Sequence, residues 1–559
     1  MSVYSFNNLC RNNCFYDYFI NKKILDIAGE LPEKDLIERI SFLANFAWRN
    51  HPGYYSDGRI ENILFNYGMH LESHCDRVKT EAQTAGLFSG EKEYSIIHVA
   101  TKLFEVGGHT RALYQFIKRH EDNRQLVVLT GQNLQNVPRW FTEGIESVPI
   151  ISLNSIESLF ERAGVLRQLA GMAACVVLYH HPDDPVPVIA LSHDTKPPVL
   201  LLNHAHSWFW LGASIIDMVL APSEFHARFT LATRPLKNVS YFPFTQLDDL
   251  DTGFGHKDKR GAKQKLGMNP DAICVMTIGT PEKFIPNAGY NFYRTAQKIV
   301  ERFDTVELFV IGVSENSELR KQYGISSQKI HFLGFVDDPT DYYRASDICL
   351  DALPQPSLGG TIYAALIGLA CPVFKYGASN VFNGKNFFTA SLYRRYIGTV
   401  NNELEYLDTL GFLIDNPELR IRIAEEIRDE YIRISTKESL AKTVKDTLHA
   451  ARFLKHEPHG IPTGNYYCDS DSAEIADSGF VQNIHTTLHH FDRYLTRWDK
   501  VVILTRLLML SEHSREVVLL VMTMLKNKLK SFGFYFSKGG CYGANDRILP
   551  PPIPSHPGK

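Results

Sequence analysis

Apolar residues recur at spacings of three and four through LPEKDLIERISFLANFAWR (31–49), with charged residues between them. That period predicts an amphipathic helix, and residues 1–90 read as mostly helical. From about Tyr94 the pattern changes. YSIIHVATKLFEVGGHTRALYQFIKRH (94–120) reads as a strand, a glycine-rich loop and a helix. RQLVVLTGQ, GMAACVVLYHH, PVLLLNHAHSWFWLG and MVLAPSEFHARFTLA continue the alternation of short apolar strands with helices. Strands that are apolar throughout, separated by helices, predict a parallel sheet covered on both faces.

The polar segment DLDTGFGHKDKRGAKQKLGMNPD (249–271) interrupts this pattern and reads as a linker. A second α/β region follows. AICVMTIGTPEKF, VELFVIGV, KIHFLGFV, the end of PTDYYRASDICLDAL, and CPVFKYG read as strands. FYRTAQKIVERF and NNELEYLDTLGFLIDNPELRIRIAEEIRDEY read as helical, the latter interrupted by proline. The expected organisation is a helical segment 1–90, an α/β domain 91–248, a linker 249–264, an α/β domain 265–440 and a helical extension 441–559. The proline-rich tail RILPPPIPSHPGK is expected to be disordered.

Composition narrows the function. At 559 residues, two to four domains are expected. A formal net charge of -3 argues against a dedicated nucleic-acid binder. Nine scattered cysteines fit reduced thiols in the cytoplasm. The N-terminus lacks a signal-peptide pattern. VVILTRLLMLSEHSREVVLLVMTML (501–525) is interrupted by charge and reads as two buried helices, not a membrane span.

Four stretches carry candidate chemistry. EVGGHTRAL (105–113) offers Gly107 and Gly108 for a tight turn, with His109 at the helix start; it is a ligand-facing loop or only a turn. NHAHSWFWLG (203–212) puts His204 and His206 at a strand's C-terminal end, facing substrate or buried as structure; a metal role lacks a third ligand. HHPDD (180–184) fits a surface loop. TIGTPEKFIP (277–286) supplies Gly279, Thr280 and Lys283, a cation for a leaving diphosphate or a solvated lysine. PSLGGTIYAAL (356–366) has no carboxylate; the amides of Gly359, Gly360 and Thr361 form an anion nest, or the stretch is a simple turn.

Taken in order, EVGGHTRAL, NHAHSWFWLGAS, TIGTPEKFIP, KIHFLGFVDD, YRASDICLDALPQPSLGGTIYAALIGLACPV and NPELRIRI resemble glycosyltransferases of the GT-B class. The resemblance spans roughly 91–440 and extends distantly to bacterial cytoplasmic protein glycosyltransferases and protein O-GlcNAc transferases. It implies two facing Rossmann-like domains with helical N-terminal and C-terminal extensions. It places Gly107, Gly108 and His109 near the donor sugar, Lys283 on the diphosphate, Phe335 and Val336 beside the base, and Leu358, Gly359, Gly360 and Thr361 around the phosphates. The paired glutamates of many retaining members are absent; their positions hold Ser357 and Ala365.

The expected activity is hexosyl transfer from a nucleotide-diphosphate sugar, a UDP-sugar, with no metal and no other cofactor. His109, His204 and His206 are the candidate bases and Lys283 the stabiliser of the leaving group. The acceptor stays open between protein, glycan and others, as do stereochemistry and self-association into a homo-oligomer. The rival readings are a degenerate nucleotide-sugar-binding module and a related epimerase or phosphorylase.

Overall fold

The computed structural model describes residues 3–71, 94–242, 259–370, 402–454 and 484–510, short gaps at 106, 121–123, 206, 223, 287–290, 356 and 435 excepted. It also describes Tyr467, 535–537 and 540–542. The chain forms two compact units, 1–482 and 483–559. The second contains helices Ile484–His490 and Arg497–Leu510 and a two-stranded antiparallel pair, 535–537 with 540–542. CPVFKYG and the proline-rich tail lie outside the described residues, as does the second helix expected within 501–525.

The first unit holds two parallel sheets. β1 (Tyr94–Ala100), β2 (Gln125–Leu129), β3 (Ile150–Ser152), β4 (Ala173–Tyr179), β5 (Val199–Leu202), β6 (Met218–Ala221) and β7 (Val239–Tyr241) order as 3-2-1-4-5-6-7. β8 (Ile273–Ile278), β9 (Val306–Ile311), β10 (Ile330–Gly334) and β11 (Ile348–Leu350) order as 10-9-8-11. In both sheets the first strand lies between the second and the fourth, which is Rossmann-type winding. The architecture is therefore α/β, two Rossmann-like parallel sheets with helical segments on either side in sequence. The cause is visible in the strands: every residue of β2, β5 and β6 is buried, as a sheet with helices on both faces requires. β3 and β7 are three-residue edge strands with partly exposed side chains, too short to leave a periodic signal.

Helices Glu33–Asn50 and Gly58–Met69 of the N-terminal segment are tied to the loops of the first sheet by polar contacts. Ser41 Oγ donates to the Asp183 carbonyl at 2.9 Å, and Asn45 Nδ2 to Asp183 Oδ2 at 2.7 Å. Glu61 is wholly buried and accepts from the amides of Gly212, Ala213 and Ser214 and from the Ser214 hydroxyl, at 2.5–3.3 Å.

Two further helices join the sheets. Pro417–Ile434 packs on the second core through Ile423, Ile427 and Tyr431. Lys437–Ala451 puts Leu440, Val444 and Ala451 into the core of the first sheet, so the boundary expected at 440/441 falls inside a helix that returns to the first domain. Near the expected linker, Lys259 and Lys263 begin a helix and bind Asp347 at 2.8 and 3.2 Å, which docks that helix on the second sheet. Among the described residues, no helix is long and apolar enough to cross a membrane.

Candidate functional site

In a parallel sheet all C-terminal strand ends lie along one edge, and the loops of two neighbouring strands part where the winding reverses. In the first sheet that point is between β1 and β4. The loop after β1 runs through Lys102 and Phe104 to the helix Gly108–Arg119; the loop after β4 begins with His180 and His181; β5, beyond β4, leads to His204.

These loops bring three imidazoles together. The rings of His109 and His204 stack at 5.2 Å, and His109 meets His181 edge-on at 6.1 Å. Phe104 stacks on His181 at 5.5 Å and meets His109 at 5.4 Å. Burial holds the pKa of His109 below its usual value, outweighing its bond to Lys102. His181 is pushed down to about 4 by burial and by its neighbour His109, and His204 lies well below normal for the same two causes. At neutral pH the cluster is uncharged.

His109 Nε2 lies 3.0 Å from the Lys102 carbonyl. A carbonyl only accepts, so Nε2 carries the proton and Nδ1 keeps a lone pair. His109 therefore has the tautomer a general base needs. His204 Nδ1 lies 3.4 Å from the Leu202 carbonyl, which leaves Nε2 as its acceptor by the same logic. His206 falls outside the described residues.

The supports of this cluster correct the surface-loop expectation for HHPDD. His180 and Asp184 are buried. Asp184 accepts from Thr101 Oγ1 at 2.6 Å, from the Val186 amide at 3.0 Å and from the Thr130 hydroxyl. Thr101 Oγ1 in turn accepts from the His181 amide at 2.8 Å, locking the β1 and β4 loops together. His180 Nε2 donates to the Leu211 carbonyl at 2.8 Å and ties in the segment that Glu61 holds. The run of polar residues is thus an internal network that sets the angle of His181, not a solvated loop.

The two glycines of the first loop do less than expected of them. Gly107 has φ 168°, ordinary extended backbone, and only van der Waals neighbours would meet a side chain there. A Cβ on Gly108 would meet nothing within 4 Å. Neither residue is required by the turn. What Gly108 leaves is an uncovered backbone at the start of an amphipathic helix.

The second sheet has its winding reversal between β8 and β11, and the loops there carry different chemistry. Beyond β8, Gly279 and the exposed Thr280 lead into a 3-10 turn, Pro281–Phe284, which places Lys283. Lys283 is half-buried, and burial lowers its pKa although Asp351 and Glu282 oppose the shift. Asp351, at the end of β11, accepts from the amides of Ala352 at 2.8 Å and Ser357 at 2.6 Å. It ties the Ser357 amide back to the end of β11. The signal for it in the sequence is an acidic residue ending the apolar run ICL.

Helix Leu358–Ile367 begins directly after this loop, with Ser357 as its N-cap and no side-chain cap bond. Leu358, Gly359 and Gly360 are therefore already in the first helical turn. This moves the amides left free of intrahelical partners by one residue. The Thr361 amide is engaged by the Ser357 carbonyl at 3.0 Å, and its buried hydroxyl donates to the same carbonyl at 3.3 Å. The amides without an intrahelical acceptor are those of Leu358, Gly359 and Gly360. Gly360 is required here, since a Cβ would come within 2.8 Å of Ile278 Cγ2. Gly312, at φ +98° after β9, is required too: its Cβ would lie 1.8 Å from the Gly279 carbonyl.

Phe335 stands 70% exposed beyond β10, and Val336 packs on the second core. Ala364 and Ala365 are completely buried. Among the described residues, no three His, Cys, Asp or Glu side chains gather as a metal site.

Compared with protein-family profiles and with curated proteins, the sequence gives no match. Solved structures are similar in fold. HepE of Anabaena, in complex with UDP and glucose, is 14% identical over 64% of this chain and 100% of that one, with a TM-score of 0.49. A mutant O-GlcNAc transferase of Thermobaculum terrenum is 13% identical over 79% of this chain and 82% of that one, with a TM-score of 0.46. A UDP-GlcNAc 2-epimerase of Neisseria meningitidis bound to UDP-GlcNAc is 15% identical over 65% and 99%, with a TM-score of 0.42.

Proposed function

We propose that the chain is a glycosyltransferase that moves a hexosyl group from a nucleotide-diphosphate sugar, a UDP-sugar, to a hydroxyl-bearing acceptor without a metal ion. One observation carries this reading. Two Rossmann-like sheets each present a cluster at the winding reversal, and the two differ in kind: uncharged imidazoles at one, a lysine with unbonded helix-start amides at the other.

The second cluster suits the donor. Its diphosphate sits on the amides of Leu358, Gly359 and Gly360 with Lys283 alongside, and the exposed Phe335 ring serves the base. As the bond from the anomeric carbon to the diphosphate breaks, its electron pair goes to the departing oxygen. Lys283 and the helix start stabilise that charge more in the transition state than before it. The acceptor oxygen then bonds to the anomeric carbon and gives up its proton. His109 Nδ1 is the acceptor for that proton in an inverting reaction, with His204 beside it.

A donor panel tests the reading. UDP-glucose, UDP-GlcNAc, UDP-galactose and a GDP-sugar are incubated in EDTA and released nucleotide is measured. Saturable release from a UDP-sugar is expected. Activity that vanishes in EDTA and returns with manganese contradicts metal independence. The buried alanines at 364 and 365 favour a second reading, a nucleotide-sugar binder without turnover. Tight UDP binding with no release under any acceptor condition distinguishes it.

A further inference from the structure

The transferase reading leaves the acceptor unassigned, and the N-terminal helices point to its class. Ser41, Asn45 and Trp48 lie at i, i+4 and i+7 of the helix Glu33–Asn50, on one face. The first two bind Asp183, two residues from His181. The same face brings the Trp48 ring to 6.4 Å from His181. His181 stacks on Phe104, Phe104 meets His109, and His109 stacks on His204. Phe104 is 42% exposed, and the other four rings are partly exposed. Five aromatic or imidazole rings thus form a continuous strip from the N-terminal segment to the candidate base.

We propose that this strip is the acceptor subsite, resting on the transferase reading above, and that it takes a carbohydrate, one sugar ring lying on Phe104 and His181. A pyranose has an apolar C–H face and a rim of hydroxyls. Ring faces suit the first. Ring nitrogens with open lone pairs, His109 Nδ1 and His204 Nε2, suit the second. An extended peptide instead needs partners for its N–H and C=O groups along its length, which ring faces do not supply. The imidazoles are held neutral, so the rings themselves offer no charge to an acidic or basic peptide; the ionisable groups beside them are Arg49, whose guanidinium lies 5.4 Å from the Trp48 ring, Lys102 and Asp183. The nearby carboxylate of Asp184 is already occupied by Thr101, Thr130 and Val186.

The test compares chitotetraose, maltotetraose and cellotetraose with Ser/Thr-containing peptides as acceptors, reading product mass and acceptor KM. Transfer to an oligosaccharide is expected. Phe104→Ala, at an exposed position that tolerates truncation, and Trp48→Ala are each expected to raise acceptor KM roughly tenfold or more, with Trp48→Phe restoring most of the loss. The Kd for UDP is expected to stay at its wild-type value in all three variants, which separates a lost subsite from a lost fold. Transfer to peptides but not to oligosaccharides overturns the proposal, as does an unchanged acceptor KM in Phe104→Ala. If the wild-type chain releases no nucleotide, the transferase reading fails first, and calorimetric titration with the same oligosaccharides decides the strip. Binding that Phe104→Ala abolishes supports a carbohydrate subsite; no binding to the wild-type chain refutes it.

Discussion

Two residues carry opposite protonation logic. Lys283 serves a phosphate only while charged, and burial makes the charge less stable than on a free lysine. Its charged form is lost as pH rises through that lowered pKa. UDP affinity is therefore expected to fall on the alkaline side below the ordinary lysine range, and titration calorimetry across pH reads this directly. Lys283→Ala is expected to weaken UDP binding by about 1.5–3 kcal/mol, roughly 10- to 150-fold, as the loss of a hydrogen bond to a charged group should. His109 serves as a base only while neutral. Its lowered pKa keeps it neutral at pH values where a free imidazole is already charging, so the acidic fall in kcat/KM is expected at a lower pH than a free imidazole would give. His109→Gln should lower kcat and remove that acidic limb. An acidic limb that persists in the variant assigns the base elsewhere.

Among elements, strands and long helices were legible and supports were not. YSIIHVA, AICVMTI and VELFVI announced themselves because a doubly covered strand is apolar at most positions, His98 and Thr277 being buried exceptions. The three-residue edge strands β3 and β7 gave no such signal. The two glycine pairs sit in different surroundings. Gly108 faces open space, whereas Gly360 meets Ile278, a difference set by tertiary approach that no local pattern encodes. HHPDD was misread because composition cannot distinguish a solvated polar run from one whose partners, Thr101, Thr130 and Leu211, come from other strands' loops. Glu61 is the same case on a helix. Its buried carboxylate satisfies three amides and a hydroxyl 151 to 153 residues away. Each amide left unpaired costs about 1–3 kcal/mol. Glu61→Ala is thus expected to destabilise the first unit by about 3 kcal/mol or more in urea unfolding, with Glu61→Gln between it and the wild-type chain. A midpoint unchanged in Glu61→Ala would show that the N-terminal helices do not brace the 212–214 segment.

At the scale of the molecule, the N-terminal segment is more than an appended cap. It anchors two loops of the first sheet through Asp183 and Glu61, and both loops lead to the imidazole cluster. At the other end, the helices 417–434 and 437–451 pack in succession on the second core and the first, coupling the sheets that hold the two clusters. The central claim is that the second sheet's cluster binds the donor diphosphate. The most direct measurement is a crystal structure of the complex with UDP. The account predicts phosphate oxygens within hydrogen-bond distance of the amides of Leu358, Gly359 and Gly360 and of Lys283 Nζ. A diphosphate bound elsewhere on the chain, or no UDP bound at saturating concentration, would contradict it.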